Sequence, residues 1–439
     1  MPQYIRPLLR AYSLGYVSFV SPRLLHILLS RANKSKSEAF IIETLRKAFE
    51  LNRFPAFCGI TVGGWRLLLP VTKTVVKQIC SLPSYSKNFS ATTHKLIANF
   101  FASFISGAVG LQLLNGGYPE APAGRTLDLT LWTATRALDV LVGELWLRRK
   151  KRRLESGNWS RFEDGIGKLA DAMAFSLTAG IVMFAWFYIP EQLPRAYNQW
   201  ITGMSNLDSR LIVALRRIRG GEFIYGEDTG QADLLGPYCK MMGLLEVLGD
   251  PQRTVPIPCR LIHSGWTDNC EKHAVWRFWS SWTKAFVMYF PLNLVTRLRR
   301  PSLKSLSQAL LQSARSSAFL GAFVAIFYYS VCLTRTRLGP RFFPNLSPMF
   351  WDNGLIVKMG CTLCGWSVLI ESPARRAEMS AFVAPKALGV VLPRKYSRKH
   401  QWREVLAFAL SFAVVMTAFH ANKARVRGVT GRVLGRIVA

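Results

Sequence analysis

Four long stretches of this chain contain no charged residue. They cover residues 97–114, 173–189, 316–334 and 405–421. Each stretch is about long enough to cross a hydrocarbon core of roughly 30 Å. Because lipid offers the backbone no hydrogen-bond partners, such a stretch has to be helical. The sequence therefore predicts an all-α, multi-pass integral membrane protein, and it disfavours the alternative of two or three soluble domains.

The chain also contains an internal similarity. A pattern that begins at Arg53 returns at Arg315, and both copies read Arg-x-x-Ala-Phe-x-Gly. Three further pairs of segments are similar, and all the pairs follow the same order: 10–12 with 284–286, 134–141 with 384–391, and 171–185 with 404–418. This order predicts two tandem four-helix units that run in the same direction across the membrane.

The similarity divides the chain into parts. We predict an N-terminal interfacial region (1–53), a first four-helix unit (54–190), a polar Cys/His/Trp-rich linker (191–282), interfacial helices (283–315), a second four-helix unit (316–421) and a basic tail (422–439). The predicted membrane helices are 56–70, 97–114, 127–147 and 171–189 in the first unit, and 316–334, 354–370, 379–392 and 405–421 in the second. The linker is predicted to belong to neither unit.

Small residues recur at four-residue spacing within several of these helices. Gly59 and Gly63 form such a ridge in the first unit, and Gly321 and Ala325 hold the matching places in the second. A third ridge consists of Ala102, Ser106 and Gly110. This spacing lets two helix backbones approach closely in lipid, so the ridges predict helix contacts. The alternative is that small residues are simply common in membrane helices.

The third helix of each predicted unit carries ionisable residues. Arg136, Asp139 and Glu144 interrupt residues 127–147, and Lys386 stands in the second unit where Arg136 stands in the first. Arg136 and Asp139 are three residues apart, so they share a helix face and can neutralise each other. Ionisable groups in membrane helices usually face a bundle interior or a wet cavity and indicate function. The alternative is that this helix lies partly in the interface.

The chain is strongly basic, with a formal net charge of +32. Basic clusters such as residues 148–153 and 394–403 lie at the ends of apolar runs. In that position they anchor helices and attract anionic lipid headgroups, so membrane lipids are the predicted partners. The sequence contains nothing that resembles a nucleic-acid-binding module, and we expect no nucleic acid. Protein partners are compatible with the sequence, which does not specify an oligomeric state.

The segment 236–282 concentrates cysteine and histidine. A structural cluster is predicted from Cys239, Cys259, His263, Cys270 and His273. Zinc accepts these ligand types, but the spacing matches no standard zinc finger, so a metal site is one open interpretation and no cofactor is predicted. A disulfide of Cys259 with Cys270 or Cys239 is a second interpretation, and reduced, packed thiols are the favoured one. The thiols inside apolar runs are expected to pack as small hydrophobic groups: Cys58, Cys332, Cys361 and Cys364.

His263 and Asp268 also form a His-x4-Asp pattern, which glycerolipid acyltransferases use to orient a general base. No acyl-acceptor block accompanies the pattern, so a membrane-bound acyltransferase is a remote alternative and no catalytic residue is predicted. Trp276, Trp279 and Trp282 follow at three-residue spacing, which is typical of an aromatic belt at the headgroup level. Non-enzymatic function is therefore the prediction.

The residues PCRLIHSGWTDNC (258–270) resemble the Cys-rich segment of the transmembrane protein 135 family. The helices AFCGITVGG (56–64) and AFLGAFVAI (318–326) are similar to the four-helix unit of the Tim-type inner-membrane translocase channels. Other family members have the Cys-rich segment near their start, whereas here it follows an additional half, as in fungal-type members. The resemblance implies a multi-pass protein of the peroxisomal membrane, alternatively the mitochondrial membrane. It implies a link to organelle dynamics and lipid homeostasis, without catalytic residues.

Two functional hypotheses follow from these features. In the first, paired four-helix units form a path through the membrane for lipid, small solutes or a polypeptide segment, because the small-residue ridges and the ionisable third helix lie in those units. In the second, the protein organises or tethers membranes through its linker and its basic faces. The first is the leading hypothesis.

Overall fold

The computed structural model describes residues 5–29, 34–80, 90–116, 123–205, 207–297 and 302–438. Within these ranges the chain is helical and contains no β-strand. An isolated bridge pairs Ala123 with Tyr396. The predicted all-α class is therefore confirmed.

The helices are numbered α1 to α16 in chain order. They are α1 (Arg6–Leu29), α2 (Lys34–Lys47), α3 (Phe54–Cys80), α4 (Ala91–Gly116), α5 (Leu127–Glu155), α6 (Arg161–Tyr188), α7 (Arg195–Ser205), α8 (Ser209–Gly220), α9 (Ala232–Met241), α10 (Cys259–Ile262), α11 (Cys270–Val295), α12 (Leu303–Phe342), α13 (Pro348–Ile370), α14 (Pro373–Val391), α15 (Gln401–Ala421) and α16 (Gly428–Val438). Single π-helical turns interrupt α3 at Gly59–Gly63 and α12 at Thr334–Leu338. Helix α13 is kinked at Asn353 and Gly354, whose backbone angles are not helical.

Several helix starts are fixed by side-chain caps. Asp208, Asn269 and Ser302 precede α8, α11 and α12, and each side-chain oxygen accepts a hydrogen bond from a backbone N–H two or three residues further on. Such a cap satisfies one of the donors that the first helical turn leaves without an intrahelical partner. The sequence therefore specifies locally where the helices around the polar segment begin.

In the described part of the chain, six helices are long and apolar enough to cross a membrane. They are α3, α4, α6, α12, α13 and the stretch Arg398–Ala421 that contains α15. Each of the four charge-free runs lies in one of them. The third predicted helix of each unit is also helical, within α5 and α14, but its ionisable residues keep it outside this composition class. Four crossings per unit therefore stay a prediction.

The chain forms two compact units. Unit 1 contains residues 1–161 and 392–439, and unit 2 contains residues 162–391. Their boundaries differ from the predicted tandem arrangement in one systematic way. The fourth helix predicted for the first half, α6, lies in unit 2, and the fourth helix predicted for the second half, α15, lies in unit 1. Each unit thus combines three predicted helices of one half with the fourth of the other.

In unit 1, α3 packs against α1 and α4 through its small residues. A Cβ atom added to Gly63 would lie 2.4 Å from the Cβ of Leu8, so the two helices touch at backbone distance. Gly110 of α4 is equally close to Thr61, whose backbone oxygen accepts a hydrogen bond from Ser106 at 3.1 Å. Phe57, Trp65, Leu111, Phe408 and Phe412 belong to the core of this unit, where α15 joins α3 and α4.

In unit 2, α12 packs against α11 and α6 packs against α13. A Cβ atom at Gly321 would lie 2.8 Å from the backbone oxygen of Phe278. The hydroxyl of Ser176 donates to the backbone oxygen of Thr362 at 2.6 Å, which holds α6 on α13. The core of this unit is rich in aromatic residues from α6 and α12, among them Phe175, Phe187, Phe319, Phe327 and Tyr328.

The polar segment 191–282 is folded into unit 2. Its helices α8 to α10 share a core of apolar residues that includes Ala214, Ile218, Phe223, Leu235 and Leu261. The sequence interpretation treated this segment as a linker outside both units, because it is the most polar part of the chain. These apolar residues are buried against one another, and their burial stabilises a compact fold. The segment therefore has a core and is not a linker outside both units.

Candidate functional site

Three cysteines from three separate segments of unit 2 come together. Cys259 is the first residue of α10, Cys270 is the first residue of α11, and Cys332 lies near the end of the α-helical part of α12. Their sulphur atoms all lie within 4.8 Å of one another. Cys332 is 2 % exposed, while the other two are partly buried. We call these three residues the thiol cluster.

His263 lies beside the thiol cluster and is fully buried. Its Nδ1 is 2.7 Å from the backbone oxygen of Thr267, which can only accept, so Nδ1 carries the proton. Burial lowers the pKa of His263, which favours the neutral ring. The other nitrogen, Nε2, is then left with a lone pair, and it lies 3.4 Å from the sulphur of Cys332.

The thiols of the cluster differ in their acidity. A hydrogen bond from the Cys332 thiol, with smaller contributions from Arg335 and Cys270, lowers the pKa of Cys259 to about 6 against the effect of burial. Burial, followed by the proximity of Cys259, raises the pKa of Cys270. The cluster can therefore hold one thiolate near neutral pH, since hydrogen bonds and positive charge favour the ionised form.

His273 is a second buried histidine, and its ring stacks on that of His263. The rings of His263 and His273 lie 4.0 Å apart at an interplanar angle of 22°. Arg277 donates from Nε to Nε2 of His273 at 3.0 Å, and its guanidinium lies 4.2 Å from the ring centre of Tyr328. Burial lowers the pKa of His273 to about 3, with further contributions from His263 and Arg277. His273 is therefore neutral at physiological pH.

Unit 2 also contains a buried ion pair. Arg335 and Asp352 approach to 2.8 Å, and their side chains are only 5 % and 2 % exposed. Tyr225 donates its hydroxyl to Asp352 at 2.5 Å, and burial, followed by Asp352, raises the pKa of Tyr225. Both ions border a cavity of about 50 Å³ whose wall is otherwise mostly apolar. A charge pair with so little access to water depends on its own hydrogen bonds.

The structure brings together four of the five predicted cluster residues. Cys259, His263, Cys270 and His273 lie side by side, whereas Cys239 lies in the apolar core of the polar segment with Leu235 and Tyr238. Cys239 belongs to the buried, packed thiols because α9 turns it toward that core.

Cys332 is the residue that sequence reasoning missed. It was predicted to pack as a small hydrophobic group, since it lies in an apolar run. The structure instead places it against Cys259 and Cys270. One signal was available, because Arg335 follows Cys332 by three residues and therefore shares its helix face. Cys361 and Cys364 do lie in the apolar core of unit 2, as expected.

The arrangement required for a His263-dependent acyltransferase is not formed. Asp268 is 75 % exposed, and its carboxylate lies 3.8 Å from Arg260. The backbone oxygen of Thr267 occupies the position on Nδ1 that an orienting carboxylate would need. His263 is also fully buried, so a substrate cannot reach it in this conformation.

A different polar feature runs along α5 in unit 1, which we call the α5 seam. Asp139 pairs with Arg427, and Asp128 pairs with Arg394 at 3.4 Å. Glu144 pairs with Arg425 at 3.3 Å and with Arg148 of α5 itself at 2.9 Å. Asp139 and Glu144 are each 23 % exposed at the side chain. The sequence suggested that Arg136 neutralises Asp139, and that pairing stays a prediction. The structure pairs Asp139 with Arg427, which belongs to the segment after α15 and is distant in sequence.

The seam continues into the interior of unit 1 at Glu404. This residue of α15 is 6 % exposed, and its carboxylate accepts hydrogen bonds from Thr126 at 2.5 Å, from Thr130 at 3.3 Å and from Tyr396. From Asp128 to Glu144 the seam extends about 24 Å along the helix, at 1.5 Å per residue. It therefore approaches the thickness of a hydrocarbon core.

The two basic residues predicted for the third helices lie in different surroundings. Arg136 is 7 % exposed, and its guanidinium is 5.8 Å from the ring centre of Trp132. Lys386 is partly buried on α14 and lies 3.8 Å from the ring centre of Phe382. Both cations therefore have aromatic neighbours, an arrangement that is favourable where water is scarce.

Comparison of this chain with protein-family models, with curated proteins and with solved structures finds no match. The geometry of the thiol cluster in unit 2 and of the α5 seam in unit 1 is therefore the basis for a functional interpretation.

Proposed function

We propose that this chain is a non-enzymatic organelle membrane protein that provides a polar path for lipid headgroups or small polar solutes along the α5 seam. The observation that carries the proposal is the row of acids on α5, each paired with an arginine from another segment of unit 1. In this proposal α5 crosses the membrane with the seam facing the path. Ionisable groups at membrane depth are costly and usually mark such pathways.

The remaining surface of α5 supports this orientation. Leu138, Leu141, Val142 and Leu145 are between 46 % and 67 % exposed, so an apolar face lies beside the charged one. At 3.6 residues per turn, Asp128 and Asp139 flank this apolar face on one side and Glu144 flanks it on the other. The apolar face can contact acyl chains while the flanking acids contact headgroups. A phosphate and an amine of a zwitterionic headgroup can exchange with the paired arginines and carboxylates without leaving a charge unpaired.

The proposed location rests on the sequence. The resemblance to the transmembrane protein 135 family supports the peroxisomal membrane, with the mitochondrial membrane as the alternative. Six apolar helices and a net charge of +32 are compatible with either membrane. Imaging of tagged protein against markers of both organelles distinguishes the two, and a location outside both would contradict this part of the proposal.

The path is tested by reconstitution into vesicles that contain a fluorescent phospholipid, whose exposure on the outer leaflet is followed by chemical quenching. We expect the full-length protein to accelerate exchange between leaflets. The double variant Asp139→Asn, Glu144→Gln should lower that rate roughly tenfold, the change that a barrier increase of about 1.4 kcal/mol produces. It keeps the shape of both side chains and removes their charge.

Glu155→Gln is the matched control. Glu155 ends the same helix, is 63 % exposed and lies beyond the seam, where it faces Lys151 at 3.8 Å. Its substitution should leave the exchange rate unchanged. Exchange no faster than in protein-free vesicles, or an equal loss of rate in the control, would contradict the proposal. The same vesicles loaded with small polar solutes separate a lipid path from a solute path.

A further inference from the structure

The geometry points to a zinc site formed by the thiol cluster, with Cys259, Cys270 and Cys332 as thiolate ligands and His263 as the fourth ligand. This inference concerns unit 2 and does not depend on the proposed path in unit 1. Cys3His is one of the ligand sets that structural zinc sites use, and such sites are closed to further ligands.

The distances are compatible with one tetrahedral ion. With Zn–S near 2.3 Å and Zn–N near 2.0–2.1 Å, ligand atoms lie about 3.8 Å apart for two sulphurs and about 3.6 Å apart for sulphur and nitrogen. The three sulphurs lie within 4.8 Å of one another. Nε2 of His263 is 3.4 Å from the sulphur of Cys332, but it does not lie within 4.8 Å of all three sulphurs. Rotation of the Cys259 and Cys270 side chains toward Nε2 of His263 would be required to bring all four atoms to these distances.

The surroundings of His263 are those of a metal ligand. Metal-binding histidines almost always donate their other ring N–H to a carbonyl or a carboxylate, which fixes the tautomer and the ring orientation. Here Nδ1 donates to the backbone oxygen of Thr267 at 2.7 Å, and His273 stacks on the ring at 4.0 Å. The ring is therefore held with Nε2 directed toward Cys332 before any ion binds.

The charges of the proposed zinc site nearly balance. Three thiolates and one Zn²⁺ leave one net negative charge, and binding releases the protons of those thiols that were protonated. Arg335 acts electrostatically on Cys259, so a positive group is already close to the cluster. Asp352 neutralises this arginine from the other side. The charges of Arg335 and Asp352 cancel, so the site and this ion pair together carry one net negative charge.

A disulfide is the competing interpretation. A disulfide would join two of the sulphurs and would require a two-electron oxidant. The third thiol and the imidazole would then have no role. All three cysteines are free in the structure. Convergence of three thiols and an unprotonated imidazole nitrogen favours metal over a disulfide. The ion would tie α10, the start of α11 and the end of α12 together, so its role would be structural.

The test uses the full-length protein, purified in detergent under reducing conditions with a tag that does not bind metal. Mass spectrometry of the metal content should find about one zinc per chain, as a single four-ligand site requires. Cys332→Ser should lose this zinc. Cys239→Ser is the matched control, since Cys239 is equally buried in unit 2 but lies outside the cluster, and it should retain the metal.

A second measurement on the unaltered chain decides the question if Cys332→Ser does not fold. Replacement of zinc by cobalt should give the visible bands of a tetrahedral ion and the charge-transfer absorption of three thiolates. Protein without zinc after growth with the metal, retention of zinc by Cys332→Ser, or a Cys259–Cys270 disulfide in protein alkylated before denaturation would overturn the site.

Discussion

The two compact units resemble each other in how their helices touch but differ in where they hold charge. In unit 1, the ion pairs of the α5 seam keep part of their surface in contact with solvent, as Asp139 and Glu144 illustrate at 23 % exposure. In unit 2, Arg335 and Asp352 form an ion pair that is almost completely buried. Related helix arrangements therefore support two kinds of polar chemistry, an accessible row in one unit and a closed group in the other.

The shared part is the contact between a small-residue helix and a helix that precedes it in the chain. Gly63 of α3 faces α1, and Gly321 of α12 faces α11. The residue that matches Gly321 in the sequence is Gly59, and a Cβ atom there would lie 3.5 Å from Tyr12 of α1. The alanines at matching sequence positions, Ala11 of α1 and Ala285 of α11, are both essentially inaccessible. This pairing recurs in both units, so it supports the interpretation of the chain as two related halves. The internal repeat itself stays a prediction.

The largest expected effect concerns the exchanged fourth helices. If α15 belongs to unit 1, cysteines introduced at Gly107 of α4 and Ala409 of α15 should form a disulfide on mild oxidation. A Cβ atom at Gly107 lies 3.5 Å from the Cα of Ala409, within the range that a disulfide spans. Linked peptides from full-length protein in membranes, identified by mass spectrometry, provide the measurement.

Leu410→Cys in place of the Ala409 substitution is the control for this experiment. Leu410 is the next residue of the same helix and is 43 % exposed, so its side chain points away from the core. The control pair should give little linked product. Equal yields from both pairs, or none from either, would show that α15 does not pack on α4. The assignment of α15 to unit 1 would then be wrong.

The second prediction concerns the buried ion pair of unit 2, Arg335 and Asp352. Arg335→Met leaves Asp352 buried without its partner, which should cost about 3–5 kcal/mol of unfolding free energy. Arg337→Met is the control, because Arg337 is two residues away on the same helix and pairs with Glu271 at 57 % exposure. It should change stability little, since exposed ion pairs contribute little. Denaturant unfolding in detergent micelles measures both.

A double substitution sharpens this test. Replacement of Asp352 by Leu in the Arg335→Met background removes the uncompensated carboxylate, so most of the lost stability should return. If Arg335→Met and Arg337→Met are equally mild, the ion pair is not closed to water. Unit 2 would then hold charge in the same way as unit 1, and the contrast between the two units would disappear.

The sequence specifies the helices well and their partners poorly. Charge-free runs identified four membrane helices because lipid imposes length and composition on each segment separately. The assignment of α6 and α15 to units is a different matter. Their apolar faces are compatible with either set of neighbours, and the choice depends on local complementarity, such as Ser176 of α6 against Thr362 of α13.

The same distinction explains the site. Cys259, His263, Cys270 and His273 were found because they lie within fifteen residues of one another. Cys332 was missed because it joins them only through the packing of α12 on α11. Arg427, a partner of Asp139, is likewise 288 residues away in the sequence. Proximity in sequence identifies a group of candidates, but only the tertiary fold shows which of them meet.

The smallest expected effect concerns the shared helix contacts, where both units should respond alike. Gly63→Ala should destabilise unit 1 by about 1–3 kcal/mol, because the new methyl group would overlap Leu8 and force α1 and α3 apart. Gly321→Ala should do the same in unit 2, since its methyl group would lie against the backbone of Phe278.

Gly143→Ala is the matched control, since nothing lies within 4 Å of a Cβ atom at that position of α5. Alanine there should instead stabilise the helix by about 0.5–1 kcal/mol, because it loses less conformational freedom on folding. Gly→Ala is thus expected to destabilise the protein at Gly63 and Gly321 and to stabilise it at Gly143. Denaturant titrations of the three variants would contradict the shared contact if only one of Gly63 and Gly321 proved sensitive, because the common packing would then be confined to one unit.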